Sequence, residues 1–481
     1  MFLPFRYSLR LICLLLPAIP YAQADDWTRF RGPNGSGISN ETGIPAEFGP
    51  EKNVVWKTPL PDGLSSPVFN PESIFVTGFE ADKLYTIAMD RKTGRVRWRR
   101  EIVRDRVGPL RPPNTPASPS PVTDGENVYS FFQDFGLISY GPDGNERWRV
   151  PLGPFNNPFG MGASPVLAGD RIIQVLDGET DSFMLAVDRN SGKTLWRVER
   201  PDVARGYSTP VLWDPKDGTG QQVIVAGSYE LRAYSVETGE KIWWVRALTW
   251  QLKPTPVIDG DTIYVLGWAG SADLGQQQEV PPLDQVLSQH DKDGNGKLSR
   301  DEALGPIDER TLKAWEELDL DRDGFLGERD WTAYQLKRSV VNSMQAIQLG
   351  GKGDTTKTAV KWQHYKSLPN VPSPLLYDGI VYLVKDGGIV TALDAATGEV
   401  RKQGRLRDSM DRYFSSPVAA DGKVFMASEP GVVSVLKAGP DWDVIEANDM
   451  GEEIHATPVI LDGRIYLRTK SALYCFADSG S

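Results

Sequence analysis

A tripeptide typified by Ser373-Pro374-Leu375 recurs eight times along this chain of 481 residues, and no other feature narrows the possible folds so far. The prolines of the eight copies are residues 67, 121, 165, 210, 256, 374, 417 and 458, spaced 54, 44, 45, 46, 118, 43 and 41 apart. The copy from Pro372 to Arg401 shows what each unit contains. After a turn at Asp378-Gly379, Val381 and Leu383 alternate with Tyr382 and Val384, as in a half-buried strand. A second turn at Asp386-Gly387-Gly388 leads to the strand Ile389 to Leu393. Asp394-Ala395-Ala396-Thr397-Gly398 then supplies side chains that bond nearby backbone and a glycine able to take positive φ. Units of roughly 40 to 50 residues holding four short strands are the signature of propeller blades.

A tryptophan marks the closing strand before seven of the eight tripeptides: Trp56, Trp98, Trp148, Trp196, Trp243, Trp362 and Trp442, with Arg401 in its place before the eighth. Val54-Val55-Trp56 is a closing strand with no blade before it, whereas the last copy, from Thr457 to Tyr474, has three strands and no fourth. Pairing the two closes the ring and leaves no long open edge. The expected fold is therefore all-β, an eight-bladed β-propeller interrupted once. The long gap after Pro256 holds an ordinary repeat plus an insertion of about 72 residues. This divides the chain into a propeller part over 25–268, a helical insertion over 269–341 and a second propeller part over 342–481.

The regular units resemble the tryptophan-docking repeats shared by pyrroloquinoline-quinone dehydrogenases and BamB-type outer-membrane assembly factors. Trp27-Thr28-Arg29-Phe30-Arg31-Gly32-Pro33-Asn34-Gly35 and Gly353-Asp354-Thr355-Thr356-Lys357-Thr358 look more narrowly like exported bacterial quinoprotein-repeat propellers. The resemblance implies a periplasmic or secreted ring and two readings of function. One is a scaffold for an unidentified protein partner among envelope or outer-membrane assembly components. The other is a pyrroloquinoline-quinone-dependent dehydrogenase. In that family a vicinal disulfide lies beneath the quinone, but Cys475 is the only cysteine beyond residue 24. Nor does any carboxylate and amide set align with a channel calcium site or a catalytic aspartate.

In the insertion the strand alternation stops and helical spacing begins. Asp291-Lys292-Asp293-Gly294-Asn295-Gly296-Lys297-Leu298-Ser299-Arg300-Asp301-Glu302 fits the twelve-residue EF-hand loop. Asp291, Asp293 and Asn295 supply hard oxygens for Ca²⁺, and Gly296 permits the sharp turn. The carbonyl of Lys297, Ser299 directly or through water, and Glu302 complete the set. A second loop, after a helical stretch from Ile307 to Leu318, offers Asp319, Asp321, Asp323, the Phe325 carbonyl and Asp330. Gly327 leaves water to serve at the ninth position, and Asp330 is shorter than the usual Glu, so weaker binding or tolerance of Mg²⁺ is expected there. Leu298 and Leu326 hold the eighth positions, which pair across the two loops in that family. Leu283, Val286, Leu287, Leu312, Trp315, Trp331 and Tyr334 have helix-face spacing and should fill a small shared core.

Residues 1–24 look like a secretory signal. Arg6 and Arg10 precede the apolar run Leu11 to Pro20, Ala22-Gln23-Ala24 ends it with small residues, and cleavage is expected after Ala24. No segment has the 18 or so uninterrupted apolar residues of a membrane span. Without the signal the chain carries 51 basic and 64 acidic residues, a net charge of about −13, which argues against nucleic acid as a partner. Within this acidic chain the loops entering the innermost strands carry Arg111, Arg205, Lys253, Arg412 and His455. In a monomeric ring those loops gather on one face, so they form a candidate basic mouth for an anionic ligand or acidic peptide. No catalytic residue set emerges; neither a phosphate loop nor a nucleophile elbow is present.

Overall fold

The structure, a computed structural model, describes residues 27–246 and 248–478; the expected signal segment and its cleavage point lie outside them. Eight antiparallel sheets form an eight-bladed β-propeller, each built on four strands with its first strand innermost. In the sixth blade these are Leu375–Tyr377, Ile380–Lys385, Ile389–Asp394 and Val400–Arg405. Val54–Pro59 supplies the fourth strand of the eighth blade, pairing with Ala472–Phe476 so that Trp56 faces the buried Cys475. No helix among the described residues is long and apolar enough to cross a membrane.

The half-burial expected of the second strand is replaced by full burial. Val381 and Leu383 are buried, and so are Tyr382 and Val384. A blade has a neighbour on each face, and alternate side chains of a strand point to opposite faces. Tyr382 and Val384 thus enter the core shared with the seventh blade, and Val381 and Leu383 the core shared with the fifth. Only the fourth strand, on the rim, alternates between exposed and half-buried positions.

Tryptophans lock one blade to the next. The rings of Trp56, Trp98, Trp148, Trp196 and Trp362 lie against Gly94, Gly144, Gly192, Gly239 and Gly398, each in the turn before the fourth strand of the following blade. Indole Nε1 of Trp98, Trp148, Trp196 and Trp362 donates to a backbone carbonyl in that turn at 2.8 to 3.0 Å. All five glycines have positive φ. A Cβ there would stand 2.4 to 2.8 Å from the nearest atom, the tryptophan ring itself at four of them, so the turn needs glycine for conformation and for space.

The interface between the sixth and seventh blades corrects the sequence reading. By strand register the position of the missing tryptophan is Lys402, opposite Ala392, and not Arg401. Trp442 precedes its strand, whose register equivalent is Glu446. It reaches back from the turn of the seventh blade to Gly404 of the sixth, and Lys402 Nζ lies 4.7 Å from its ring centroid. The ring that locks this interface comes from the opposite side.

Candidate functional site

The residues before the eight recurrent prolines are Ser66, Ser120, Ser164, Thr209, Thr255, Ser373, Ser416 and Thr457, and all eight line one cup at the centre of the ring. Their backbone N–H groups run from blade to blade. Ser66 donates to Ser120 Oγ, Ser120 to Ser164 Oγ and Ser164 to Thr209 Oγ1 at 2.9 to 3.0 Å. Thr255 donates to Ser373 Oγ, Ser373 to Ser416 Oγ and Ser416 to Thr457 Oγ1 at 2.9 to 3.1 Å. Thr457 then donates to Ser66 Oγ at 2.9 Å, joining the eighth blade to the first. In the sequence these positions show only as the residue before a recurring proline. The recurring hydroxyl was the available signal, but its partner belongs to another blade.

The cup has a volume of about 310 Å³. Leu64, Phe159, Tyr207, Val371 and Phe414 give it apolar walls, and among the described residues no aspartate or glutamate lines it. Of the five residues expected at a basic mouth, the structure brings Lys253 and His455 into this lining. Lys253 Nζ donates to Asn370 Oδ1 at 3.0 Å and has no ion pair among the described residues. Burial lowers its pKa to about 8. Burial also lowers His455, against the pull of Glu429, so its imidazole is largely neutral at pH 7.

The other three stand elsewhere. Arg111 is exposed and lies 5.4 Å from the Phe159 ring centroid. Arg412 pairs with Glu429 at 2.7 Å, and the same carboxylate is 3.5 Å from His455 Nε2, so the rim there is neutralised. Arg205 is buried in an ion pair with Glu179, itself buried, and does not reach the cup.

The far end of the channel is closed by the N-terminal segment. Trp27 and Thr28 carbonyls accept from Phe69 and Thr123 N–H in the first two blades at 2.8 and 2.9 Å. Arg29 Nη2 donates to Pro210 O in the fourth blade at 2.5 Å and Arg31 Nη2 to Pro374 O in the sixth at 2.8 Å. Asn34 exchanges hydrogen bonds with Leu212, and Gly37 and Ser39 pair with Ala419 of the seventh blade. These partners lie on innermost strands or, for Pro210 and Pro374, immediately before them, and the segment satisfies part of their free edges. Phe30, between the two arginines, lines the cup. Burial lowers Arg29 to about 10 and Arg31 to about 9. The second motif of the sequence, Gly353 to Thr358, stitches the fifth blade to the fourth: Gly353–Asp354 pairs parallel with Trp243 and Trp244, and Arg246 N–H donates to Thr356 Oγ1 at 2.9 Å.

The insertion carries the second candidate site. Carboxylate oxygens of Asp291, Asp293 and Glu302 converge within 4.8 Å of one another, as do those of Asp319, Asp321 and Asp323. Gly296 has φ 78°, and Asn295 Oδ1 accepts from Lys297 N–H at 2.8 Å. Leu298 and Leu326 pair across a two-stranded antiparallel bridge. Glu302 accepts from the N–H groups of Lys292 and Ser299 and from the Ser299 hydroxyl, which holds its pKa down to about 2. Asp330 accepts from Leu320 and Gly327 N–H at 3.0 Å; it is not one of the three converging carboxylates, and burial, with Asp321 and Asp319 nearby, raises its pKa. The Lys297 ammonium pairs with Asp323 across the loops, and Phe325, at the seventh position, pairs with Ser299 in the bridge and donates its N–H to Asp323 Oδ1 at 2.9 Å. Val286, Leu298, Leu312, Leu326, Trp331 and Tyr334 form the shared core, with Leu283, Leu287 and Trp315 at its edge. The helix expected from Ile307 to Leu318 is instead Glu309–Leu312 and a 3₁₀ turn at Trp315–Glu317, because Ala314 leaves the helical range at φ −99° and ψ 45°.

This module docks on the third and fourth blades. Arg322 Nη2 is 3.5 Å from Glu179 Oε2, Arg329 Nη2 donates to Glu179 O at 2.5 Å, and Tyr229 Oη donates to Ala333 O at 3.0 Å. Glu179 thus serves the module on one side and Arg205 on the other, which explains why Arg205 is withheld from the mouth.

Residues 49–175 and 180–481 match the family described as outer membrane protein assembly factor BamB. No curated protein matches the chain. BamB from Moraxella catarrhalis superposes with a TM-score of 0.57 at 14% identity, covering 89% of this chain and 98% of that one. A europium-containing methanol dehydrogenase gives 0.55 at 10% identity, covering 94% and 98%. A quinohemoprotein alcohol dehydrogenase from Pseudomonas putida HK5 gives 0.56 at 13%, covering 95% and 81%. At these identities the likeness to each structure is one of fold.

Proposed function

Because the chain belongs to the family of the outer membrane protein assembly factor BamB, we propose that it is an exported scaffold that binds protein partners in the cell envelope, with Ca²⁺ holding its helical module in shape. The observation that carries this reading is the donor set of the cup: hydroxyls, amides, one amine and aromatic rings, with no carboxylate in the lining. Such a lining can recognise a group presented to it. The quinone-dehydrogenase reading needs a carboxylate to hold the channel cation and an aspartate base, and the residues present do not fit it.

The acidic loops do fit a hard divalent cation. Three converging carboxylates in the first loop, with Asn295 bonded to Asp293 and Ser299 to Glu302, match the oxygen-only coordination that Ca²⁺ prefers. In the second loop three carboxylates converge without the twelfth residue, which supports weaker binding. Calcium is assigned a structural part here, because the loops share one core with the helices that dock the module on the blades.

Calorimetric titration of the mature protein with Ca²⁺ should show two unequal sites, and no heat at about 1 mM would remove the metal from the proposal. Cross-linking in envelope extracts should enrich outer-membrane assembly components. Dye-linked alcohol oxidation after reconstitution with pyrroloquinoline quinone and Ca²⁺ would overturn the scaffold reading.

A further inference from the structure

The cup offers hydrogen-bond protons and one positive charge, and nothing inside it balances either. Seven of the eight ring hydroxyl oxygens already accept a backbone N–H. Among the described residues no protein acceptor takes the protons of those hydroxyls, so each is free to donate to an occupant. Lys253 adds an ammonium held in place by Asn370 and left without a carboxylate partner among the described residues. An ammonium held half-buried without a counter-ion is unfavourable, and an anion beside it recovers that loss.

We propose that this cup binds a compact organic monoanion, a single carboxylate carried on an apolar body. Lys253 and the ring hydroxyls take up the carboxylate; Phe30, Phe159, Tyr207 and Phe414 surround the body. The charge count sets the class. One ammonium compensates one negative charge, whereas a phosphate dianion or a polycarboxylate would bury further charge against walls that offer no second cation. The volume of about 310 Å³ sets the size, at the lower end of the ~300–1,000 Å³ found for small-molecule pockets. The plug makes the site one-ended, so a ligand enters from the open face. A free organic acid and the C-terminal end of a peptide present the same chemistry. The inference stands on the cup alone and is independent of the calcium loops.

The test is calorimetry on the mature full-length protein with 3-phenylpropanoate, N-acetylphenylalanine, the amide of each, and inorganic phosphate. Both carboxylates should bind with Kd below about 1 mM and the amides at least ~10-fold more weakly, with phosphate silent. The tighter of the two acids identifies the source, free acid or chain end. Lys253→Met should weaken binding at least ~10-fold, and Lys253→Arg should restore most of it. Affinity should fall as pH rises past about 8, where Lys253 loses its proton. Burial raises the pKa of Tyr207 and lowers that of His455, so neither changes charge in that interval. If Lys253→Met fails to fold, Lys253→Gln carries the same comparison. Equal binding of acid and amide, unchanged binding in the lysine variants, or no heat from either acid at about 10 mM would each overturn the proposal.

Discussion

Gly94 and Gly422 have nearly the same backbone conformation, φ 68° and 66°, and very different surroundings. A Cβ on Gly94 would stand 2.4 Å from the Trp56 ring, whereas one on Gly422 would meet nothing within 4 Å. Left-handed backbone alone costs an alanine ~1–2 kcal/mol, so Gly422→Ala should lose about that much stability. Gly94→Ala also displaces the indole that seals the ring, and should lose ~3 kcal/mol or more. Urea unfolding of the two variants makes the comparison, and equal losses would show that tryptophan docking adds nothing at this interface. Both glycines are legible in the sequence as turn residues. Only Gly94 is also a packing surface, and that depends on a tryptophan 38 positions away in the chain, on a strand of another blade.

At the scale of the element, the two acidic loops show how a single methylene can separate similar sequences. In each, the twelfth residue accepts the N–H groups of the second and ninth: Glu302 from Lys292 and Ser299, Asp330 from Leu320 and Gly327. Glu302 is long enough to do so and still join the carboxylate cluster, while Asp330 is not part of its own. Asp330→Glu should therefore tighten Ca²⁺ binding at the second loop by ~10-fold, seen as a steeper second phase in calorimetric titration. An unchanged second site would show that the twelfth position does not ligate. The loops were legible because their ligands lie within twelve consecutive residues. The docking of the module through Arg322, Arg329 and Glu179 was not, since Glu179 is 143 positions from Arg322 and carries no local mark.

For the whole molecule the decisive feature is closure. The N-terminal segment contributes the last strand of the eighth blade, the plug and, through Trp56, a lock on the first blade. Removing residues 25–60 opens an edge along Ala472–Phe476, uncovers the innermost strands and empties the seat against Gly94. The truncated protein should aggregate or unfold. A truncated form that elutes as a monomer with an unchanged Tm would contradict closure by this segment. The hydroxyl ring belongs to the same scale, because it runs from the eighth blade to the first through Thr457 and Ser66.

The sequence by itself determined the all-β propeller, its eight blades, the position of the insertion and the residues of the two acidic loops. These follow from periodicity, turn chemistry and ligand spacing, which are local along the chain. Tertiary structure alone decided which residues share the cup. Of five basic residues in the loops before a tripeptide, Lys253 stands without an ion pair among the described residues in the cup, His455 lines it beside Glu429, and Arg205 is turned away to hold the helical module. The physical reason is that a charge takes its role from its partner. Here the partners Asn370, Glu429 and Glu179 lie on segments that meet those residues only once the blades have folded and packed side by side.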